Sequence, residues 1–304
     1  MVKITCKPIL NLHHNLGECP VWDEREEALY WIDGLGCRWF CKKDEKILEH
    51  ETQSPIGSMV LTVEGGIIAA LQDGIYKIDP HTGAQTLFAN PEVGQKNNRF
   101  NDGKADPVGR YVVGTMSEAF NAGEADGKPT GSLYSLEPDG KYQKLLGGIS
   151  ISNGLAWNSK KDTLYYVNSP TRTVMAYDYD LATGGIRNGR ICIRIPEGEG
   201  IPDGMTIDEE NRLWIAQWGG WCVSRFDPET GERLAQIDVP VEHVTCCAFG
   251  GRDMDQLFIT TSTTGVVGCE WLRQPLAGAI FVARPGVRGL PAWRFGEEEV
   301  SHDS

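Results

Sequence analysis

No stretch of this 304-residue chain approaches the roughly 18 consecutive apolar residues that a membrane-crossing helix needs. The opening MVKITCKPILNLHHNLGE lacks the long apolar core of a secretory signal. Positive charge is also scarce. Lys and Arg number 29 against 42 Asp and Glu, a net charge of -13, which argues against nucleic acid or an anionic membrane as partner. The nine cysteines include no CxxC pair, and no second pair joins Cys37 and Cys41 to complete a zinc site. They read as reduced, mostly buried thiols of a cytoplasmic protein. The absence of GxSxG argues against a serine-hydrolase elbow. Sustained 3.6-residue periodicity is missing too, so a helical fold is not expected.

What the chain does have is a repeat. The stretches ECPVWDEREEALYWID (18–33), SMVLTVEGGIIAALQD (58–73), NDGKADPVGRYVVGTMS (101–117), NGLAWNSKKDTLYYVNS (153–169), DGMTIDEENRLWIAQW (203–218) and TCCAFGGRDMDQLFITTS (245–262) share one layout. Each begins with a polar residue and a short apolar run, then passes through a polar turn into an alternating strand. Most are followed by a second hairpin with its own turn, such as YKIDPHTGAQT or SRFDPETGERL. Six units of two hairpins imply an all-β, six-bladed β-propeller with four-stranded blades, occupying residues 1–304 as one domain with a frayed tail at about 296–304. The N-terminal segment is expected to supply a strand to the last blade. A WD-type propeller does not fit, because the single Trp22-Asp23 lies near the start of a repeat.

In register, the six units place Glu18, Ser58, Asn101, Asn153, Asp203 and Thr245 at one position. A polar turn residue follows five positions later in four of them: Asp23, Asp106, Asn158 and Asp208. In a propeller such equivalent positions converge on the axis. All six carry oxygen and two are acidic, so bringing them together calls for a compensating cation. A Glu, an Asn carbonyl and an Asp form a hard-oxygen set matched to a divalent ion.

The motifs LGECPVWD, NNRFNDGKADPVGRYVVGTM, ISNGLAWN, YDYDLATG, IPDGMTID, LWIAQWGG and CCAFGG together resemble the senescence marker protein/gluconolactonase family, from about residue 13 to 290. The resemblance implies a propeller that holds one divalent cation on its axis and hydrolyses sugar lactones. It implies Glu18, Asn153 and Asp203 as metal ligands, with Asp203 also the general base. Arg99 and Asn101 match positions that contact the lactone. In GTMSEAF, Glu118 matches the first of two acidic residues of regucalcin-like members, while Ala119 replaces the second, substrate-contacting one.

The expected chemistry is conversion of a gluconolactone-type aldonolactone to its aldonic acid. The cation polarises the carbonyl and Asp203 accepts a proton from water. Ca, Zn, Mg, Mn and Fe all remain open as the ion, and one sequence leaves the oligomeric state open. A broader esterase or organophosphate hydrolase, and a calcium-binding regulatory propeller, are the competing readings. His13 and His14 read as a solvated or edge pair, His243 as a structural histidine, Cys246 and Cys247 as small buried thiols. Trp218 and Trp221 are read as inter-blade packing in preference to a sugar-stacking wall.

Overall fold

The computed structural model describes residues 2–124 and 127–296. The expected tail, 296–304, lies outside the described residues apart from Gly296. The chain is all-β, with two four-residue helices, Glu118–Asn121 and Glu270–Arg273, and one short 3-10 turn among the described residues. None of its described helices is long and apolar enough to cross a membrane.

The strands form four four-stranded sheets and one eight-stranded sheet. In each four-stranded sheet consecutive strands pair antiparallel, as in Gly17–Asp23, Ala28–Asp33, Arg38–Lys43 and Lys46–Glu51. The six separate sheets expected from the repeats are thus five. The reason is the N-terminal strand Val2–Asn11, which pairs antiparallel with Ala279–Ala283 and also parallel with Arg233–Asp238. The antiparallel pairing is the one the sequence anticipated; the parallel one fuses two sets of strands into one sheet.

The first strands of the units pack side by side in chain order, and Val244–Gly250 packs back against Gly17–Asp23. Because both faces of each sheet meet a neighbour, the second strand of a unit can read as a continuous apolar run. Ile67–Leu71, IIAAL, is buried throughout. Apolar clusters fill the spaces between successive units: Trp39 and Met59 lie in one, Val60 and Tyr111 in the next. Trp31, stacked on Phe40 at 5.1 Å, joins Phe258 and Ile280 where the last unit meets the first.

The polar residues five positions on shape the turns at the far end of the inner strands. Asp23 Oδ1 accepts the backbone N–H groups of Arg25 and Glu26, Asp106 Oδ1 those of Val108 and Arg110, and Asp208 Oδ1 those of Glu210 and Arg212. Asn158 Oδ1 does the same for Asp162 and Thr163. Such local side-chain bonds favour Asx residues at turns over strand interiors.

At that far end the segment 289–296 crosses the sheets as a strap. Gly289 N–H donates to Met254 O, Phe295 N–H to Leu61 O and Gly296 N–H to Gly109 O, each at 2.9 Å. Arg294 bonds Asp23, and Phe295 is buried beneath.

Candidate active site

Asn-Gly and Asp-Gly pairs ordinarily mark turns, yet Asn153-Gly154 and Asp203-Gly204 lie inside strands, Ser152–Trp157 and Ile201–Ile207. Pairing slips in every inner strand at or beside the ring position: between Glu18 and Val21, Ile56 and Ser58, Phe100 and Gly103, Asn153 and Leu155, Pro202 and Met205, Val244 and Cys246. These are β-bulges, which re-aim side chains.

The glycines serve close approach, not turning. A Cβ on Gly154 would lie 2.7 Å from Asp203 O of the next strand, and one on Gly57 2.5 Å from Phe100 O. The slip also frees backbone N–H groups that the acidic side chains take up. Cys19 N–H donates to Glu18 Oε2 and Gly103 N–H to Asp102 Oδ1, both at 2.7 Å. The Gly204 N–H likewise serves the Asp203 carboxyl.

The ring of six divides in two. Glu18, Asn101, Asn153 and Asp203 line a cavity of about 210 Å³ at the near end of the axis. Ser58 and Thr245 do not. Ser58 Oγ donates to Asn101 O at 2.7 Å, and Thr245 Oγ1 to Gly17 O at 2.5 Å. Both hydroxyls stitch neighbouring strands together, because a short side chain at a bulge reaches the adjacent backbone before it reaches the axis.

A chain of hydrogen bonds runs across the cavity floor. Arg99 Nη1 donates to Asn101 Oδ1 at 2.9 Å. Asn101 Nδ2 donates to Ser152 O at 2.7 Å and to Asn153 Oδ1 at 3.1 Å. Asn153 Nδ2 then donates to Ser169 Oγ at 2.8 Å, which turns its carbonyl oxygen away from that wall. The Asn101 amide, expected to hold substrate, is engaged as a strut between Arg99 and Asn153.

Burial dominates the electrostatics. It lifts the Glu18 carboxyl to about 8, aided by the nearby Asp102 charge. Asp203 is pushed well above the carboxylate range by burial first, then by Glu18 and Asp102. Asp102 itself is raised by burial, and its Oδ2 has no hydrogen-bond partner among the described residues. Behind the ring, Asp102 and Lys104 face a smaller cavity of about 90 Å³ that the strap residues Leu290 to Trp293 help enclose. Lys104 Nζ donates there to Met205 O.

Glu118 is not brought into the cavity. Its side chain is 46% exposed, with Oε1 3.9 Å from Arg99 Nε. The neighbouring helix residue that does line the cavity is Asn121, together with Ser169 of the 3-10 turn. Asn121 stands outside the repeat register, and Ser169 closes the fourth repeat, where the residue type alone does not mark a site.

His14 is buried, not solvated. Its Nε2 accepts from Trp31 Nε1 at 2.9 Å, and Nδ1 lies 3.6 Å from Asp33. His13 is the exposed member of the pair. His243 stacks on Trp218 at 4.1 Å, and Trp218 lines the cavity, so it both packs and forms wall. All nine cysteines are free; Cys19, Cys222, Cys246 and Cys247 are buried, Cys269 is exposed, and the rest are half-buried, fewer buried than expected.

Among the described residues no three of His, Cys, Asp and Glu cluster as a metal site. The candidate set has only two carboxylates, its third member being an amide.

The SMP-30/gluconolactonase/LRE-like region matches residues 16–263. Regucalcin of Gallus gallus is 39% identical over 299 residues, covering 97% of this chain and 98% of the relative. A luciferin-regenerating enzyme superposes with a TM-score of 0.87 at 31% identity, covering 95% of this chain and 98% of its own. The solved regucalcin of Agrobacterium tumefaciens, described as a calcium-binding protein, gives 0.90 at 25% identity over 97% and 99%. The chain belongs to the SMP-30/gluconolactonase/LRE-like family, and its enzymatic class is that of the lactonases.

Proposed function

We propose that this chain hydrolyses a sugar lactone of the aldonolactone type with the help of one divalent cation held by Glu18, Asn153 and Asp203. The observation that carries this reading is the pair of buried carboxyls, Glu18 raised by burial and Asp102, Asp203 by burial, Glu18 and Asp102, beside an amide oxygen already oriented by Ser169. Two buried like charges are stable together only when protonated or when a cation lies between them. The donors are hard oxygens, so the set fits an ion such as calcium, magnesium or manganese, with zinc and iron also compatible. The domain is read as a single six-bladed propeller. The eight-stranded sheet counts as two blades, the second made of Val244–Gly250, Gln256–Thr261, Ala279–Ala283 and the N-terminal strand. A cytoplasmic setting agrees with nine free thiols.

When bound, the cation would supply Lewis-acid polarisation of the lactone carbonyl. The chain's own residues supply the rest. Asp203, ionised, presents a carboxylate oxygen that can take a proton from the attacking water. The Arg99 guanidinium, which stays a donor, orients the ring and its hydroxyls. Asn101 transmits that placement to Asn153. Glu118 is kept as an outer contact to the substrate, reached through its pairing with Arg99. The walls exclude bulk water, strengthening each of these interactions.

A calcium-binding role without turnover would use the same ligands. The cavity beside them, with Arg99 and Asn121 on its wall, favours an enzyme. The test is a comparison of variants in lactone hydrolysis. Asp203→Ala should abolish turnover, whereas Arg99→Ala should chiefly raise KM. Near-normal turnover by the Asp203 variant would sink the mechanism.

A further inference from the structure

Two positions before each ring residue, strand alternation places a second tier on the same face, nearer the mouth. Its members are Leu16, Ile56, Arg99, Ile151, Ile201 and His243. Leu16, Arg99, Ile151 and Ile201 line the near cavity. The tier is therefore mostly aliphatic, interrupted by one cation.

The mouth is not uniform around its circumference. The fifth, sixth and first units are neighbours, because Ile201–Ile207 packs on Val244–Gly250 and that strand on Gly17–Asp23. Above Glu18 and Asp203, their wall is Ile201, Trp218, Leu16 and Leu35, with Thr264 beside them. The third and fourth units supply Arg99, Asn121 and Ser169 opposite, alongside Met116 and Ile151. One arc of the mouth is mostly hydrocarbon, and the facing arc carries most of its hydrogen-bonding side chains.

We propose that the site selects a lactone with hydroxyls along one edge only, a deoxy sugar lactone, over a fully hydroxylated one. This rests on the lactonase reading above and narrows it. Hydroxyls turned toward Arg99, Asn121 and Ser169 find partners. A hydroxyl turned toward Leu16 and Ile201, beneath the exposed Leu35, gives up part of its water without replacement. A methyl group at that edge loses nothing and gains apolar contact.

The test is a pair of lactones of identical ring size and stereochemistry, differing only in a terminal methyl or hydroxymethyl group, assayed with the cation-loaded protein. The methyl compound should show a kcat/KM higher by roughly tenfold, the range expected from one unpaired buried hydroxyl. Leu35→Asn, on a half-exposed loop, should shrink that ratio by several-fold while the thermal midpoint stays within a few degrees. Should Leu35→Asn misfold, the wild-type ratio alone decides. Equal turnover of the two, or preference for the hydroxymethyl compound, would overturn this inference and leave the lactonase reading standing. Turnover of neither, nor of any other lactone, would overturn both.

Discussion

Asn101 Nδ2 lies 3.1 Å from Asn153 Oδ1, a contact between two adjacent inner strands at the floor of the near cavity. It joins the Arg99 guanidinium on one side to the Ser169 hydroxyl on the other, so that four residues from three chain segments share one hydrogen-bond chain. The proposed substrate contact and the proposed metal ligand are thus mechanically linked. Disturbing one end should be felt at the other.

Ser169→Ala tests that link. Without its acceptor the Asn153 amide is free to turn its nitrogen toward the axis, presenting a donor where an oxygen is needed. Loss of such a supporting partner typically weakens metal binding by about 10–100-fold. Calorimetric titration of metal-stripped protein should show this loss with the thermal midpoint of the cation-free protein little changed. Unaltered affinity would mean that Ser169 does not orient the ligand.

Gly154→Ala tests the reading of the glycines. The added methyl would press on Asp203 O at 2.7 Å, and the backbone there is not in the left-handed region, so φ strain is not the cause. Overpacking of this kind costs roughly 1–3 kcal/mol. Denaturant unfolding should register it, with lowered cation affinity alongside because Asp203 shifts. A neutral substitution would return Asn153-Gly154 to the status of an ordinary sequence pair.

The raised carboxyls set a pH dependence. The native state holds the Glu18 proton up to about pH 8, while the unfolded chain releases it near 4.5. Between those values the native state binds more protons, so the stability of cation-free protein should fall as pH rises across this window. Asp203 shifts in the same direction and adds to the slope. Melting curves with a chelator present should show the decline, and excess divalent cation should flatten it. A chelated protein that gains stability over pH 5 to 8 would contradict the buried-pair description.

Residues 2–11 should not behave as a frayed end. Their strand has partners on both sides, Arg233–Asp238 and Ala279–Ala283, and Ile4 and Cys6 pack on the core cluster containing Phe281. Deleting them should lower the whole unfolding transition cooperatively. Hydrogen exchange should show protection lost in the segment 233–283, and loss confined to a few terminal amides would speak against this closure.

Much of this arrangement was legible in the sequence because each blade repeats its instructions. The Asx residues at 23, 106, 158 and 208 form the turns their spacing implied, and Glu18, Asn101, Asn153 and Asp203 meet around one cavity. Ser58 and Thr245 share the register yet turn aside, since register fixes where a backbone passes and not which way a short hydroxyl bonds. Asn121 lies on a short helix outside the repeat, and Ser169 at the repeat's last position, in a 3-10 turn, so the register of the ring residues announces neither. His14 departs from the expected solvated pair because Trp31 Nε1 gives it a buried partner, and the adjoining His13 has φ +50°. That local reversal lets its neighbour turn inward.

The most direct test of the central claim is lactone hydrolysis by metal-stripped protein, with divalent ions restored one at a time, for the wild type and for Asp203→Ala. Stripping should abolish wild-type turnover, one ion should restore it, and no ion should restore the variant. Turnover that persists in fully stripped protein, or a variant rescued by the same ion, would contradict a cation held by Glu18, Asn153 and Asp203 as the engine of the reaction.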